Sequence, residues 1–239
     1  VTLDGHPLRK ASEKVSADQQ LIIEVAPAPW VGRAAYKLLG ALETFAGLAE
    51  AIPGARCIDV GASTGGFTQV LLSRDASTVL ALDVGHDQLV DEIAHDPRVT
   101  DLPGTNVRDI DVDALGGPAD VVVADLSFIS LPLVIARLAD LTSTDGHLMV
   151  LVKPQFEVGR DALARTGVVQ SAQLRARSVS GVVDAARRQG LVPHGLAPSP
   201  VAGGTGNREY LLWLRHSTAG MMAAMDLNAA LEQIARGES

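Results

Sequence analysis

Residues 56–68, Arg-Cys-Ile-Asp-Val-Gly-Ala-Ser-Thr-Gly-Gly-Phe-Thr, constrain this chain more than any other stretch. A short apolar run reaches an acid at Asp59, then breaks into a loop carrying Gly61, Gly65 and Gly66. The pattern predicts a strand, a tight turn and the start of a helix. Glycines in such a turn let the backbone approach a ligand closely, and the helix start aims unpaired N–H groups at it. A dinucleotide fingerprint requires G-x-G-x-x-G, and Ser63 stands where its second glycine belongs. Gly61, Gly66 and Thr68 fit the frame of a phosphate-binding P-loop, but Phe67 replaces its lysine. No cation in the loop offsets a triphosphate. A neutral or zwitterionic nucleoside such as S-adenosylmethionine fits residues 61–67 better, although an ordinary glycine-rich turn of an α/β protein satisfies them too.

Apolar patterning places strands at residues 56–60, 78–83, 98–102, 120–125 and 147–153, with helices at 66–73, 87–94 and 131–141. Residues 31–46 have helical spacing ahead of the first strand, through Ala34, Leu38, Leu42 and Phe45. A longer helix, 172–189, stops at Gly190; strands follow at 192–197 and 209–214, and a short helix at 226–235. The last strand alternates in the manner of an edge hairpin. Alternation of this kind predicts a mostly parallel, seven-stranded sheet with helices on both faces. Residues 1–25 read as a separate unit, with a turn at Asp4-Gly5 and a strand in Leu-Ile-Ile-Glu-Val, and residues 26–30 read as a Pro-containing linker.

Composition narrows the partners. A chain of 239 residues can bury a full core, and none of its apolar runs approaches the roughly 20 residues that span a bilayer. No charged-then-apolar leader is visible. Cys57, the single cysteine, precludes an intrachain disulfide or a cysteine-based metal cluster, the histidines are scattered, and no metal is expected. A reducing cytoplasm suits this cysteine usage. The net charge of −8 argues against general polyanion binding. Its distribution is uneven: residues 83–125 hold eleven acids against two bases, Arg98 and Arg108. If nucleic acid binds, Arg9, Lys10, Arg33, Arg160 and Arg165 are its expected contacts, although each is equally at home on a solvated helix face.

In an open parallel sheet, ligands bind beyond the carboxyl ends of the strands. There the first strand ends in the glycine turn and the second in Asp83, 22 residues after Gly61, where an acid can take two ribose hydroxyls. The fourth ends in Asp125 and the fifth in Lys153. A charge at the end of an apolar strand is costly without a partner or ligand. A helix N-cap would equally suit Asp83, but nothing structural asks for a lysine at position 153.

Four motifs, D-V-G-A-S-T-G-G-F-T, A-D-L-S-F-I-S, L-V-K-P-Q-F-E and N-R-E-Y, closely resemble the TlyA, or haemolysin A, family of FtsJ-type ribosomal-RNA 2′-O-methyltransferases. The resemblance implies a Rossmann-like class I methyltransferase domain over residues 31–239 that uses S-adenosylmethionine. It implies a Lys–Asp–Lys–Glu tetrad, matched here by Lys37 in G-R-A-A-Y-K-L, Asp125, Lys153 and Glu209. For the cofactor it implies Asp59, Gly61, Ser63, Thr64, Gly65, Gly66, Phe67, Asp83 and Asp125, with Asn106 at a place where many relatives carry an acid. Residues 1–25 resemble the second half of an S4 RNA-binding domain. The implied partner is ribosomal RNA within ribosomal subunits, the implied nucleotide a cytidine, and the enzyme reads as a monomer.

A ribose hydroxyl is a poor nucleophile until its proton is removed, so such an enzyme must align an in-line attack and accept one proton. Lys153 is the expected acceptor, with Lys37 as a nearby like charge and Asp125 and Glu209 orienting the amines; four such groups titrate as a set. Three alternatives share parts of the pattern: a methyltransferase for a small-molecule hydroxyl, a membrane-active haemolysin, and an RNA-binding module without catalysis. The filled tetrad and the S4-like start favour RNA methylation.

Overall fold

The computed structural model describes residues 2–3, 6–7, 14–16, 19–22, 30–159, 163 and 166–238. The chain divides into two compact units, Val1–Trp30 and Val31–Ser239. In the first, strands β1 (Thr2–Leu3), β2 (His6–Pro7) and β3 (Leu21–Ile22) form a small antiparallel sheet in the order β2-β1-β3. The Asp4-Gly5 turn and the linker residues 26–29 lie outside the described residues.

The second unit opens with α1 (Ala35–Thr44) and α2 (Ala46–Glu50), separated at Phe45, whose ψ of 84° leaves the helical region. The helix expected over residues 31–46 is therefore two, and the second carries on beyond it. Then come β4 (Arg56–Val60), α3 (Gly66–Ser73), β5 (Thr78–Leu82), α4 (Asp91–Ala94), β6 (Val99–Leu102), β7 (Ala119–Ala124), α5 (Ile135–Leu141) and β8 (Thr142–Val152). The chain continues through α6 (Pro154–Glu157), α7 (Ala172–Arg188), β9 (Val192–Pro198), β10 (Tyr210–Arg215) and α8 (Ala224–Arg236). The helix expected over residues 131–141 is interrupted: Leu131–Leu133, with Pro132 inside it, forms a 3-10 turn ahead of α5.

Strands β4 to β10 make one sheet in the order β6-β5-β4-β7-β8-β10-β9. The first five of these are parallel, and β10 runs antiparallel to both β8 and β9. Val121, Val122 and Val123 at the centre are fully buried, because a parallel strand has helices over both faces. That explains why the central strands read as unbroken apolar runs.

The strand expected at residues 209–214 in the manner of an edge hairpin is β10, which pairs antiparallel with β9 to form the hairpin at this edge of the sheet, with β9 outermost. Tyr210, Leu211, Leu212 and Leu214 are all fully buried, so both faces of β10 are covered. Its antiparallel direction also positions the site. Tyr210 pairs with Val152, so the beginning of β10 lies beside the end of β8. Glu209, just ahead of β10, thereby reaches the same rim as Lys153, just after β8.

Candidate active site

The glycine turn forms where β4 ends. Val60 sits between Leu82 of β5 and Ala124 of β7 in parallel register, which sets Gly61, Asp83 and Asp125 side by side at the carboxyl edge. Gly61 has φ +88°, and a Cβ there would lie 2.9 Å from the Asp125 carbonyl oxygen. The backbone can pass Asp125 this closely only without a side chain. Gly65, at φ +96°, is the residue ahead of α3, and a Cβ there would lie 2.7 Å from Leu89 Cδ1.

Beneath the turn, the Thr68 hydroxyl donates to Asp59 Oδ2 at 2.7 Å. Asp59 is fully buried, and burial pushes its carboxyl up to about 7, with the Thr68 hydrogen bond opposing the rise and the Asp125 and Asp83 charges adding to it. Asp59 thus supports the turn from below and lines none of the cavities described next. Thr68, which fitted a P-loop frame, is consumed by this bond. Burial likewise pushes the Cys57 thiol up to about 12, so it is an inert core group.

Asp83 ties the rim together. Its Oδ2 accepts from the Ser63 N–H and its Oδ1 from the Gly85 N–H, both at 2.8 Å. Both oxygens keep further lone pairs, and the carboxylate faces a cavity of about 470 Å³ that also includes Gly61, Ser63, Asn106 and Asp125. Asn106 Oδ1 accepts from the Arg108 N–H at 3.1 Å, which leaves its amide N–H groups and a further lone pair to offer a ligand. A second cavity, about 200 Å³, lies along the loop between Ser63, Thr64, Gly66 and Phe67 and the side chain of Lys153. A third, about 810 Å³, is lined by Lys37, Lys153, Glu209, Phe128 and Phe156 among others. Ser127 borders all three, so they meet at the strand-end loop that carries Asp125.

At that meeting point the four tetrad candidates form one charge network. Lys153 Nζ lies 2.6 Å from Asp125 Oδ1 and donates to Ser127 Oγ at 2.8 Å. Lys37 Nζ lies 3.3 Å from Asp125 Oδ2 and 2.8 Å from Glu209 Oε2. Gln155 Nε2 donates to Glu209 Oε1 at 3.2 Å. The side chains of Lys37, Asp125, Glu209 and Lys153 are only 10, 11, 2 and 8% exposed. Two cations and two carboxylates balance, which is what permits four charged groups to be buried together.

The sequence pattern of FtsJ-like methyltransferases matches residues 30–216, which include all four tetrad positions and the glycine turn. The chain belongs to the FtsJ-like methyltransferase family. The 16S/23S rRNA (cytidine-2′-O)-methyltransferase TlyA of Mycobacterium tuberculosis is 47% identical to it, over 98% of this chain and 86% of that protein. Hemolysin A of Brachyspira hyodysenteriae is 33% identical, over 88% of this chain and 87% of that protein. Among solved structures, a hemolysin-named protein of Streptococcus thermophilus superimposes with a TM-score of 0.80 at 32% identity, covering 98% of this chain and 84% of that one.

A methyltransferase brings a methyl donor to an acceptor, and this site has three adjoining cavities that share Ser127. S-Adenosylmethionine suits the first two cavities. Asp83 and Asn106, the residues expected to meet its ribose and adenine, both line the first cavity, and the turn carries no charged side chain. Asp83→Ala is expected to weaken S-adenosylmethionine binding by about 10- to 100-fold, a loss of ~1.4–2.8 kcal/mol. Titration calorimetry checks this, and unchanged affinity would remove Asp83 from the site.

Of the residues expected to contact RNA, Arg33 donates to the Ala202 carbonyl at 3.1 Å and borders the 200 Å³ cavity together with Asp125 and Lys153. Arg9, Lys10, Arg160 and Arg165 lie outside the described residues. Sequence reasoning missed Ser127, Phe128, Gln155 and Phe156. Each stands within two or three residues of a tetrad member, in A-D-L-S-F or L-V-K-P-Q-F, and that adjacency was the available signal. Phe128 is the least expected. It is 91% exposed, has φ +65°, and packs against Phe156 with ring centroids 5.3 Å apart. An exposed aromatic in a strained backbone conformation at a cavity mouth is an outlier that points to ligand contact.

Proposed function

We propose that the chain catalyses S-adenosylmethionine-dependent methylation of the ribose 2′-hydroxyl of cytidine in ribosomal RNA. The observation that carries this is the buried Lys37–Asp125–Lys153–Glu209 network at the junction of a cofactor-sized cavity and an open acceptor cavity. The 47% identical TlyA of Mycobacterium tuberculosis, an rRNA (cytidine-2′-O)-methyltransferase by name, supports the choice of acceptor.

When bound, S-adenosylmethionine supplies a methyl group on a sulfonium, an electrophile that needs no metal to activate it. The protein's task is to deliver the acceptor oxygen and remove its proton. Lys153, once it has given up a proton to become the neutral amine, accepts the 2′-hydroxyl proton; the oxygen's new bond to the methyl carbon would replace the methyl–sulfur bond, whose electron pair stays on the sulfur. Asp125 and Ser127 hold Lys153 from two directions, and this keeps its Nζ where the 200 Å³ and 810 Å³ cavities adjoin. Lys37 sits between Asp125 and Glu209, maintaining a positive charge beside Lys153 and keeping the carboxylates paired. Phe128, packed against Phe156 with the ring planes tilted by 49°, offers an exposed face on which an unpaired acceptor base can lie. Arg9 and Lys10, in a segment that resembles part of an S4 module, supply RNA contacts together with Arg33, Arg160 and Arg165.

Incubation of purified ribosomal subunits with methyl-labelled S-adenosylmethionine tests the proposal. Label is expected in RNA, at linkages that resist alkali because a 2′-O-methyl group blocks strand cleavage. RNA affinity is expected to fall steeply with salt. Label confined to small hydroxyl compounds, with none in RNA, would overturn it.

A further inference from the structure

Two loops carry the reacting groups. One follows β7 and runs from Asp125 to Leu131; the other follows β8 and is the single helical turn α6, with Lys153 just ahead of it and Glu157 at its end. They are joined by three successive cross-contacts. At the catalytic end Lys153 reaches Asp125 and Ser127. In the middle, the Phe128 and Phe156 rings pack together. At the far end the Glu157 carboxylate closes the set: Oε2 accepts from the Ser130 hydroxyl at 2.6 Å and Oε1 from the Leu131 N–H at 2.8 Å.

The last contact is placed to control the other two. Phe128 sits at φ +65°, a conformation that a bulky residue keeps only when its surroundings impose it. Its segment is held on one side by Lys153 bonding to Ser127 and on the other by Glu157 bonding to Ser130 and Leu131. Glu157 has no ion-pair partner among the described residues, and both of its oxygens serve the neighbouring loop. It touches neither the Lys37–Asp125–Lys153–Glu209 network nor the cofactor cavity.

We infer that Glu157 is a positioning residue for methyl transfer: its bidentate hold on Ser130 and Leu131 locks the two loops in register and so fixes Phe128 and Lys153 relative to Asp125. The inference rests on the function proposed above. A shift of about 1 Å in a reacting group is enough to cost roughly 100-fold in rate.

Two variants and two readouts test it. Glu157→Ala is expected to lower kcat by about 10- to 100-fold with S-adenosylmethionine affinity changed less than about threefold. Glu157→Gln keeps both contacts, its carbonyl accepting from Leu131 and its amide donating to Ser130, and is expected to recover most of that loss. Hydrogen exchange in the intact protein reads the same lock without turnover. The Leu131 amide should be protected in the wild type and in Glu157→Gln, and should exchange faster in Glu157→Ala. Wild-type kcat in Glu157→Ala, equal losses in both variants, or a kcat loss matched by the loss in cofactor affinity would each overturn the inference. So would unchanged Leu131 exchange in Glu157→Ala. A wild-type enzyme that leaves RNA unmethylated would overturn the proposed function instead, and the exchange comparison would still decide whether Glu157 locks the loops.

Discussion

Lys153→Ala is expected to lower kcat by about 1,000-fold while leaving S-adenosylmethionine affinity within roughly threefold, the size of effect usual for loss of a positioned general base. Lys153 is the amine at the mouth shared by the cofactor and acceptor cavities. Lys37 cannot substitute, because it is held by Asp125 and Glu209 on the other side of the shared carboxylate. The same change leaves Asp125 Oδ1 buried without its cation, so stability should fall by about 3 kcal/mol, as when one partner of a buried ion pair is removed. Lys153→Arg separates the two effects. A guanidinium restores a cation for Asp125 but does not give up its proton in a protein. Thermal stability should return largely to the wild-type level and turnover should not. Turnover in Lys153→Arg close to wild type would remove Lys153 as proton acceptor.

Gly61→Ala should damage binding, turnover and stability together. The residue has φ +88°, and the new Cβ would lie 2.9 Å from the Asp125 carbonyl oxygen and 3.2 Å from Leu126 Cδ2. An L-residue in this conformation costs about 1–2 kcal/mol before any clash. The Asp125 backbone cannot yield freely: its N–H donates to Val60 O at 3.2 Å, and its side chain anchors both lysines. Relief must come from moving the turn away from β7, which opens the cofactor cavity and displaces a tetrad carboxylate at once. We expect a stability loss of about 1–3 kcal/mol, cofactor affinity down at least tenfold and kcat down further. Melting curves and calorimetry check the first two. A stable variant with normal affinity would mean that the turn has room the structure does not show.

What the sequence revealed was mostly local. The turn at residues 61–67 was legible because glycines, an acid before them and another acid 22 residues after Gly61 are a spacing that one strand–turn–helix unit imposes. The bounds of β4 and α3 were found as expected for the same reason. Asp125 and Lys153 were legible as charges ending apolar strands. Lys37 and Glu209 were not legible from spacing, and came from the family resemblance alone. Lys37 lies 88 residues from Asp125, and its place follows from how α1 packs at the carboxyl edge. Glu209 joins because β10 runs against β8, a direction that its sequence does not announce. The edge hairpin was legible in the alternation of β10, but its sequence did not show that β9 is the outer strand and that both faces of β10 are covered. Phe128 and Glu157 stayed hidden because their roles depend on two loops meeting. A positive φ on a phenylalanine and a carboxylate spanning to a neighbouring turn leave no periodic trace.

The most direct measurement is to locate the transferred methyl group. Ribosomal subunits treated with labelled S-adenosylmethionine and the wild-type chain, then digested to nucleosides and resolved by mass spectrometry, should yield 2′-O-methylcytidine, and parallel treatment with Lys153→Ala should yield essentially none. A methyl group on a base, or 2′-O-methylcytidine formed equally well by Lys153→Ala, would contradict the assignment of Lys153 and its network as the machinery for ribose methylation.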